Sequence, residues 1–144
     1  MAPSAAEVKA VAVELGALGD TGPLWRDWLA DASRRFRVDA TALDEELPNW
    51  RPLLERFAEE RAPVYLRRDA DVTEALRRLH AAGVRIGVFT DVPSELARIA
   101  LSHLGAEGRV TLVEAGEGAD QRLLQQLGPD VAVVRTRADL LALR

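Results

Sequence analysis

Lys9 to Thr21 reads KAVAVELGALGDT, and the rest of the chain is organised around this stretch. Ala10 to Val13 is an apolar run too short for a helix and flanked by polar residues and glycine, which predicts one buried strand. Glu14 stands at its C-terminal end, and Gly16 and Gly19 let the chain turn sharply afterwards. Open α/β sheets bind ligands outside the carboxyl ends of their strands, so a carboxylate at the mouth of the first strand is the first candidate for chemistry.

After Thr21 the periodicity becomes helical. Pro23 suits a first helical position, and Leu24, Trp25, Trp28, Leu29, Ala32 and Phe36 recur at helical spacing. Asp39 reads as the N-cap of a short helix that runs through Leu47 and is broken by Pro48. Leu53, Leu54, Phe57 and Ala58 mark another helix, expected to end near Ala62-Pro63, with Val64, Tyr65 and Leu66 bringing the chain back. Gly22 to about Arg68 therefore reads as a small helical insert without a strand. Trp25, Trp28 and Trp50 are expected to form its core; the alternative places them in a pocket or an oligomer interface.

From Asp71 onward helix and strand alternate. Asp71 with Glu74 reads as a capping pair for a helix Val72–Ala82 closed by Gly83. Val84 to Thr90 is a second buried strand. Asp91, Pro93 and Ser94 open the helix Glu95–Leu104, closed by Gly105. Val110 to Val113 is a third strand, followed by a glycine-containing loop and the helix Asp120–Leu127. Val131 to Val134 is a fourth strand, after which Thr136 and Asp139 cap a last helix. This order, with short connections, implies an α/β fold with right-handed crossovers and a parallel sheet of about four strands.

Composition narrows the function classes. At 144 residues the chain is sized for one typical domain. A net charge of -4 and a pI near 5.2 disfavour nucleic acid and anionic membrane as partners. The absence of cysteine removes disulfides, a thiol nucleophile and thiolate metal sites, and suits a cytoplasmic location. MAPSAAEVKA has no basic end followed by an apolar stretch, so no signal peptide is expected, and no apolar run is long enough to span a bilayer. Lys9 is the one lysine, which removes a common catalytic residue type from the rest of the chain.

The first strand ending in an acid, the glycine-containing turn, Asp20-Thr21-Gly22-Pro23-Leu24 and the helical insert resemble a haloacid dehalogenase-superfamily hydrolase. Asp71 to Pro93, DVTEALRRLHAAGVRIGVFTDVP, is similar to that family's second strand and its preceding helix. The resemblance runs from about Val11 onward. It implies a three-layer Rossmann-like core made of residues 1–21 and 69–144, with residues 22–68 as a small cap.

The resemblance also implies a set of site residues, and the sequence departs from most of them. Such enzymes carry an aspartate nucleophile at the end of the first strand and an acid/base aspartate two residues later; Glu14 and Gly16 stand there. Thr90 fits the Ser or Thr that holds the transferred group. Glu117 occupies the place of a lysine that neutralises charge, with the wrong sign. Of the aspartates that complete a magnesium site after the fourth strand, one is replaced by Arg135 and Asp139 remains. Glutamate would displace the attacking oxygen by roughly an ångström, which alone can cost on the order of 100-fold. Gly16 offers no proton donor, a further loss of about 100- to 10,000-fold. Arg135 puts a permanent cation where a divalent metal needs an anionic oxygen. On adjacent strand ends, Arg135 and Glu14 could pair directly.

Each residue also has a plainer reading. Glu14 could be a solvated loop acid. Thr90 at a strand end could bind an oxyanion, but with Asp91 it reads more simply as a turn and cap residue. Thr136-x-x-Asp139 is a capping box that needs no metal. Asp20 lies past the glycine turn and suits a helix cap better than a substitute nucleophile. Gly116-Glu117-Gly118 lacks phosphate-loop spacing. His80 and His103 lie on separate helices without a partner at metal spacing. Arg34, Arg35, Arg37, Arg67 and Arg68 read as solvated helix-end charge.

The resulting expectation is a catalytically inactive hydrolase-like domain with a binding or scaffold role, needing no cofactor and taking an unidentified protein or its own copy as partner. The alternative is a magnesium-dependent phosphatase or hydrolase using Glu14, Thr90 and Asp139. A fifth strand common in the family is not evident, which would leave the fourth strand an open edge and makes homodimerisation a hypothesis.

Overall fold

The computed structural model describes residues 8–143. Most of MAPSAAEVKA, on which the reading of no signal peptide rests, lies outside the described residues. Four parallel strands, β1 (Ala10–Glu14), β2 (Arg85–Thr90), β3 (Leu112–Ala115) and β4 (Val131–Val134), form one sheet in the order β3-β2-β1-β4. The helices are α1 (Gly22–Phe36), α2 (Leu43–Glu46), α3 (Trp50–Tyr65), α4 (Ala70–Ala81), α5 (Ser94–His103), α6 (Ala119–Leu127) and α7 (Arg137–Ala142).

Strand order explains how the helices are shared between the two faces. The chain steps from β1 to β2 to β3 in one direction, then returns past β1 to β4. Right-handed crossovers taken in opposite directions place their helices on opposite faces. Val11, Val13, Ile86, Val88 and Val134 accordingly pack with residues of α1, α3, α4, α5 and α7 in one large cluster. On the other face Ala10, Ala12 and Phe89 meet α6 through Ala119, Leu123 and Leu127. That face is built from small residues because α6 lies close to it: a Cβ on Gly87 would come within 2.7 Å of Leu123 Cδ1. The reversal of direction at β1 makes the carboxyl ends of β1 and β4 the switch point where this architecture opens a crevice.

The apolar cluster is continuous between residues 22–68 and the sheet. Leu24, Trp28, Leu54, Ala58 and Ala62 belong to the same cluster as Val11, Val13, Ile86 and Val88. Two ion pairs tie α3 to α5, Arg51 to Glu95 at 2.9 Å and Arg98 to Glu55 at 3.1 Å. The three tryptophans meet with ring centroids 5.6 to 6.5 Å apart, and Trp50 Nε1 donates to Asp44 at 2.8 Å.

Three local expectations are corrected. Helix α4 is capped by Asp69, not by the pair Asp71 and Glu74: the Asp69 carboxylate accepts from the backbone N–H groups of Asp71 and Val72, while Glu74 pairs with Arg77. Asp69 holds the extended N-cap backbone, and Arg137 at the start of α7 pairs with both acids, with Asp69 Oδ2 at 2.6 Å and Asp71 Oδ2 at 3.2 Å. Helix α3 passes through Pro63 to Tyr65 rather than stopping before it. Proline removes one N–H near the helix end and leaves the carbonyl four residues back to solvent; the burial of Leu54, Ala58 and Ala62 holds the helix together. Strand β3 begins two residues later than Val110, since Gly87 stands level with Leu112, and the charged Glu114 is inside it. An edge strand tolerates that charge because one side faces water.

Candidate functional site

Val13 stands level with Val134 across the β1–β4 ladder, so the next residues, Glu14 and Arg135, leave adjacent strand ends together. Phe89 stands level with Glu14 on β2. Since side chains alternate along a strand, all three project from the α6 face. Arg135 Nη1 lies 3.5 Å from Glu14 Oε2, Nη2 lies 3.6 Å from Asp120 Oδ2, and the guanidinium carbon sits 5.2 Å from the Phe89 ring centroid. The guanidinium thus rests against an aromatic ring with a carboxylate on either arm.

These groups line a cleft of about 350 Å³, walled by Thr90 and Asp91 on one side and by the loop Gly116-Glu117-Gly118 with Ala119 and Asp120 on the other. Gly116 and Gly118 both have positive φ, 90° and 73°, which lets the loop fold over the sheet end around Glu117. Arg122 fixes that loop from behind. Its Nε donates to Glu114 Oε1 at 2.8 Å, Nη2 donates to Ala115 O at 2.6 Å, and Nη1 donates to Glu117 O. With Gln126 also donating, Glu114 is held below the usual carboxylate range, the Arg122 bond being the main cause.

The expected site residues separate into two groups. Glu14, Thr90, Glu117 and Arg135 converge on the cleft. Gly16 instead lines a neighbouring hollow with Asp20, Asp69 and Arg137, although a Cβ there would still lie 3.7 Å from Glu14 Oε1. Asp139 is outside the cleft lining, exposed on α7, where its N–H donates to Thr136 Oγ1 at 3.1 Å; its plainer reading as part of a cap describes its geometry. Thr90 is buried and its hydroxyl oxygen accepts from Val92 N–H at 3.3 Å, which serves the turn into α5. Asp20 lies one residue before Thr21, the N-cap of α1, and accepts from Gly22 N–H at 2.9 Å in the turn that leads into the helix, so it is a turn residue and not the cap itself. His80 and His103 end α4 and α5, apart from the cleft.

Asp120 is the site residue that the sequence reading missed. Its position at a helix start suggests only a favourable interaction with the helix dipole, and nothing local to it points toward Arg135. Among the described residues no three His, Cys, Asp or Glu side chains converge as a metal site would need. Glu14 and Asp120, which face each other across the cleft, both lie beside the Arg135 guanidinium, a fixed cation that a divalent metal would have to share them with. No helix of the described residues is long and apolar enough to cross a membrane.

No protein-family model matches the chain, and no curated protein matches it. Among solved structures, one described as a dehalogenase with an intermediate complex superposes with a TM-score of 0.51 at 15% sequence identity, covering 90% of this chain and 76% of the other. At that identity the likeness concerns architecture: the chain has a Rossmann-like α/β fold of the haloacid-dehalogenase type, with a guanidinium at the strand ends where its crevice opens.

Proposed function

We propose that this chain is a haloacid-dehalogenase-like module that has lost hydrolytic catalysis and serves as a binding or scaffold element. One observation carries the reading: the Arg135 guanidinium lies between Glu14 and Asp120, 3.5 and 3.6 Å from their carboxylates. A carboxylate paired in this way is a weaker nucleophile and a poorer ligand for a cation, because both roles compete with the guanidinium for the same lone pairs. Gly16 leaves no acid/base beside it, and Glu117 brings negative charge to the cleft wall, which repels a phosphoryl group. In this reading residues 22–68 are the family's cap, fixed against α5 by the ion pairs of α3. A cytoplasmic setting is part of the proposal and is supported by the cysteine-free sequence.

The test is direct. Titrated with magnesium, the protein is expected to give no binding heat and no thermal shift, and to leave p-nitrophenyl phosphate unhydrolysed with or without the metal. A magnesium-dependent phosphatase activity abolished by Glu14→Gln overturns the proposal and establishes the second reading, an active hydrolase with an altered site. That second reading draws on the presence of Glu14 and Thr90 in one open cleft, and it has to proceed without Asp139, which the cleft does not include.

A further inference from the structure

We infer that the outer edge of β4 is a self-association surface, on which a second copy of this chain adds its own β4 antiparallel across a two-fold axis beside Ala132. The inference is independent of the reading of the cleft. Among the described residues β4 pairs with β1 on one side and with no strand on the other. Ala10 stands level with Val131, and its N–H donates to Asp130 O at 3.2 Å. Alternate residues of a parallel strand turn their backbone polar groups to the same neighbour. Asp130, Ala132 and Val134 therefore address β1, and Val131 and Val133 offer their N–H and C=O groups outward.

A two-fold axis beside Ala132 sets Val131 of each copy opposite Val133 of the other. Both become hydrogen-bonded pairs, in which each pair exchanges two N–H···O=C bonds. The register also satisfies the pleat, because directly opposed residues point to one face and Val131 and Val133 share the α6 face. Val133 is 44% exposed, one of few large apolar side chains so open, and it lies beyond the cluster under α6, which takes in Val131 but not Val133. In the pair it gains a β-branched cross-strand neighbour.

Three features select a second copy over another occupant. The two-fold register matches Val131 and Val133 with the same two β-branched residues of the copy, so the edge is complementary to itself. Val131-Ala132-Val133-Val134 carries none of the charges or prolines by which edges are normally blunted. The opposite edge, β3, has such a charge, Glu114, held by Arg122 and Gln126. Pairing β4 with its own copy uses up the open edge and closes the assembly, whereas pairing β4 with β3 of another copy would propagate.

Light scattering on a sizing column at micromolar concentration tests this. The chain is expected to show twice the 15.7 kDa of one copy. Val133→Pro removes an N–H that the single chain does not use but that supplies half of the inter-copy bonds; Val133→Lys places a charge on an already exposed position. Both variants are expected at single-chain mass with unchanged far-UV circular dichroism. If the proline variant loses structure, the lysine variant decides alone. A wild-type chain that stays at single-copy mass, or a dimer that the lysine variant leaves intact, overturns the inference.

Discussion

Replacing Arg135 by methionine tests the electrostatics of the cleft. Two unit charges at the 3.5 Å of the Glu14 pair attract by about 1 kcal/mol at the dielectric constant of water. The side chains of Arg135, Glu14 and Asp120 are 54%, 42% and 35% exposed, so solvent screens both contacts and the cost of ordering the long arginine offsets part of each. One guanidinium serves both acids, so the two contributions are not additive, and its contact with Phe89 adds about 0.5 kcal/mol at such an exposed site. The expected loss on Arg135→Met is about 1 kcal/mol, or roughly 3 °C in Tm for a chain of this length. It should shrink in 1 M salt, where the screening length falls to about 3 Å. Urea and thermal melts of both proteins at low and high salt give the comparison. A loss above about 3 kcal/mol that salt does not change would refute the reasoning. That is the signature of breaking a desolvated pair, and it would mean that the guanidinium is held out of water.

Leu123 is fully buried and belongs to the small cluster that, among the described residues, covers the second sheet face. Leu123→Ala is expected to cost about 2–5 kcal/mol, and hydrogen exchange should show α6 and the loop Gly116-Glu117-Gly118 losing protection before the α4 and α5 side; equal loss on both faces would contradict the two-cluster description. Asp69 is held below its ordinary value of 3.8 chiefly by the Arg137 hydrogen bond. A depressed carboxylate contributes stability that is present above its unfolded value and is lost as the pH falls through its folded one. Asp69→Asn should therefore flatten the stability profile below about pH 4 and leave its shape above pH 5 unchanged; a profile that keeps its full acid slope would show that the carboxylate has no such role.

Local chemistry in the chain was enough for most elements. The Ala10 to Val13 and Val131 to Val134 runs are strands, Asp39 caps the turn that leads into α2, and Thr136 caps α7. In each case the deciding group lies within three residues of what it decides. Errors arose where a distant residue arbitrated. Asp69 and Asp71 are both acids at the start of α4, and the path of the backbone leaves Asp69 in the extended N-cap position while Arg137 pairs with both. Pro63 reads as a stop until the packing of Ala58 and Ala62 is known. Val110 to Val113 reads as a strand until β2 sets the register two residues later.

The candidate site divides in the same way. A carboxylate at the end of β1 and an arginine at the end of β4 are legible as residues at strand ends, and their pairing follows once β4 is placed beside β1. Asp120 lies in neither strand and joins them because α6 crosses to the second face.

By itself the sequence determined the alternation of strands and helices, the parallel sheet and the identity of the charges at its carboxyl ends, since these follow from periodicity, caps and residue type along a short stretch of chain. Only the tertiary structure decided which charges meet. A guanidinium chooses its carboxylates by distance in space, and that distance is set by strand order, by the close approach of α6 over Gly87 and by the loop that Arg122 holds in place.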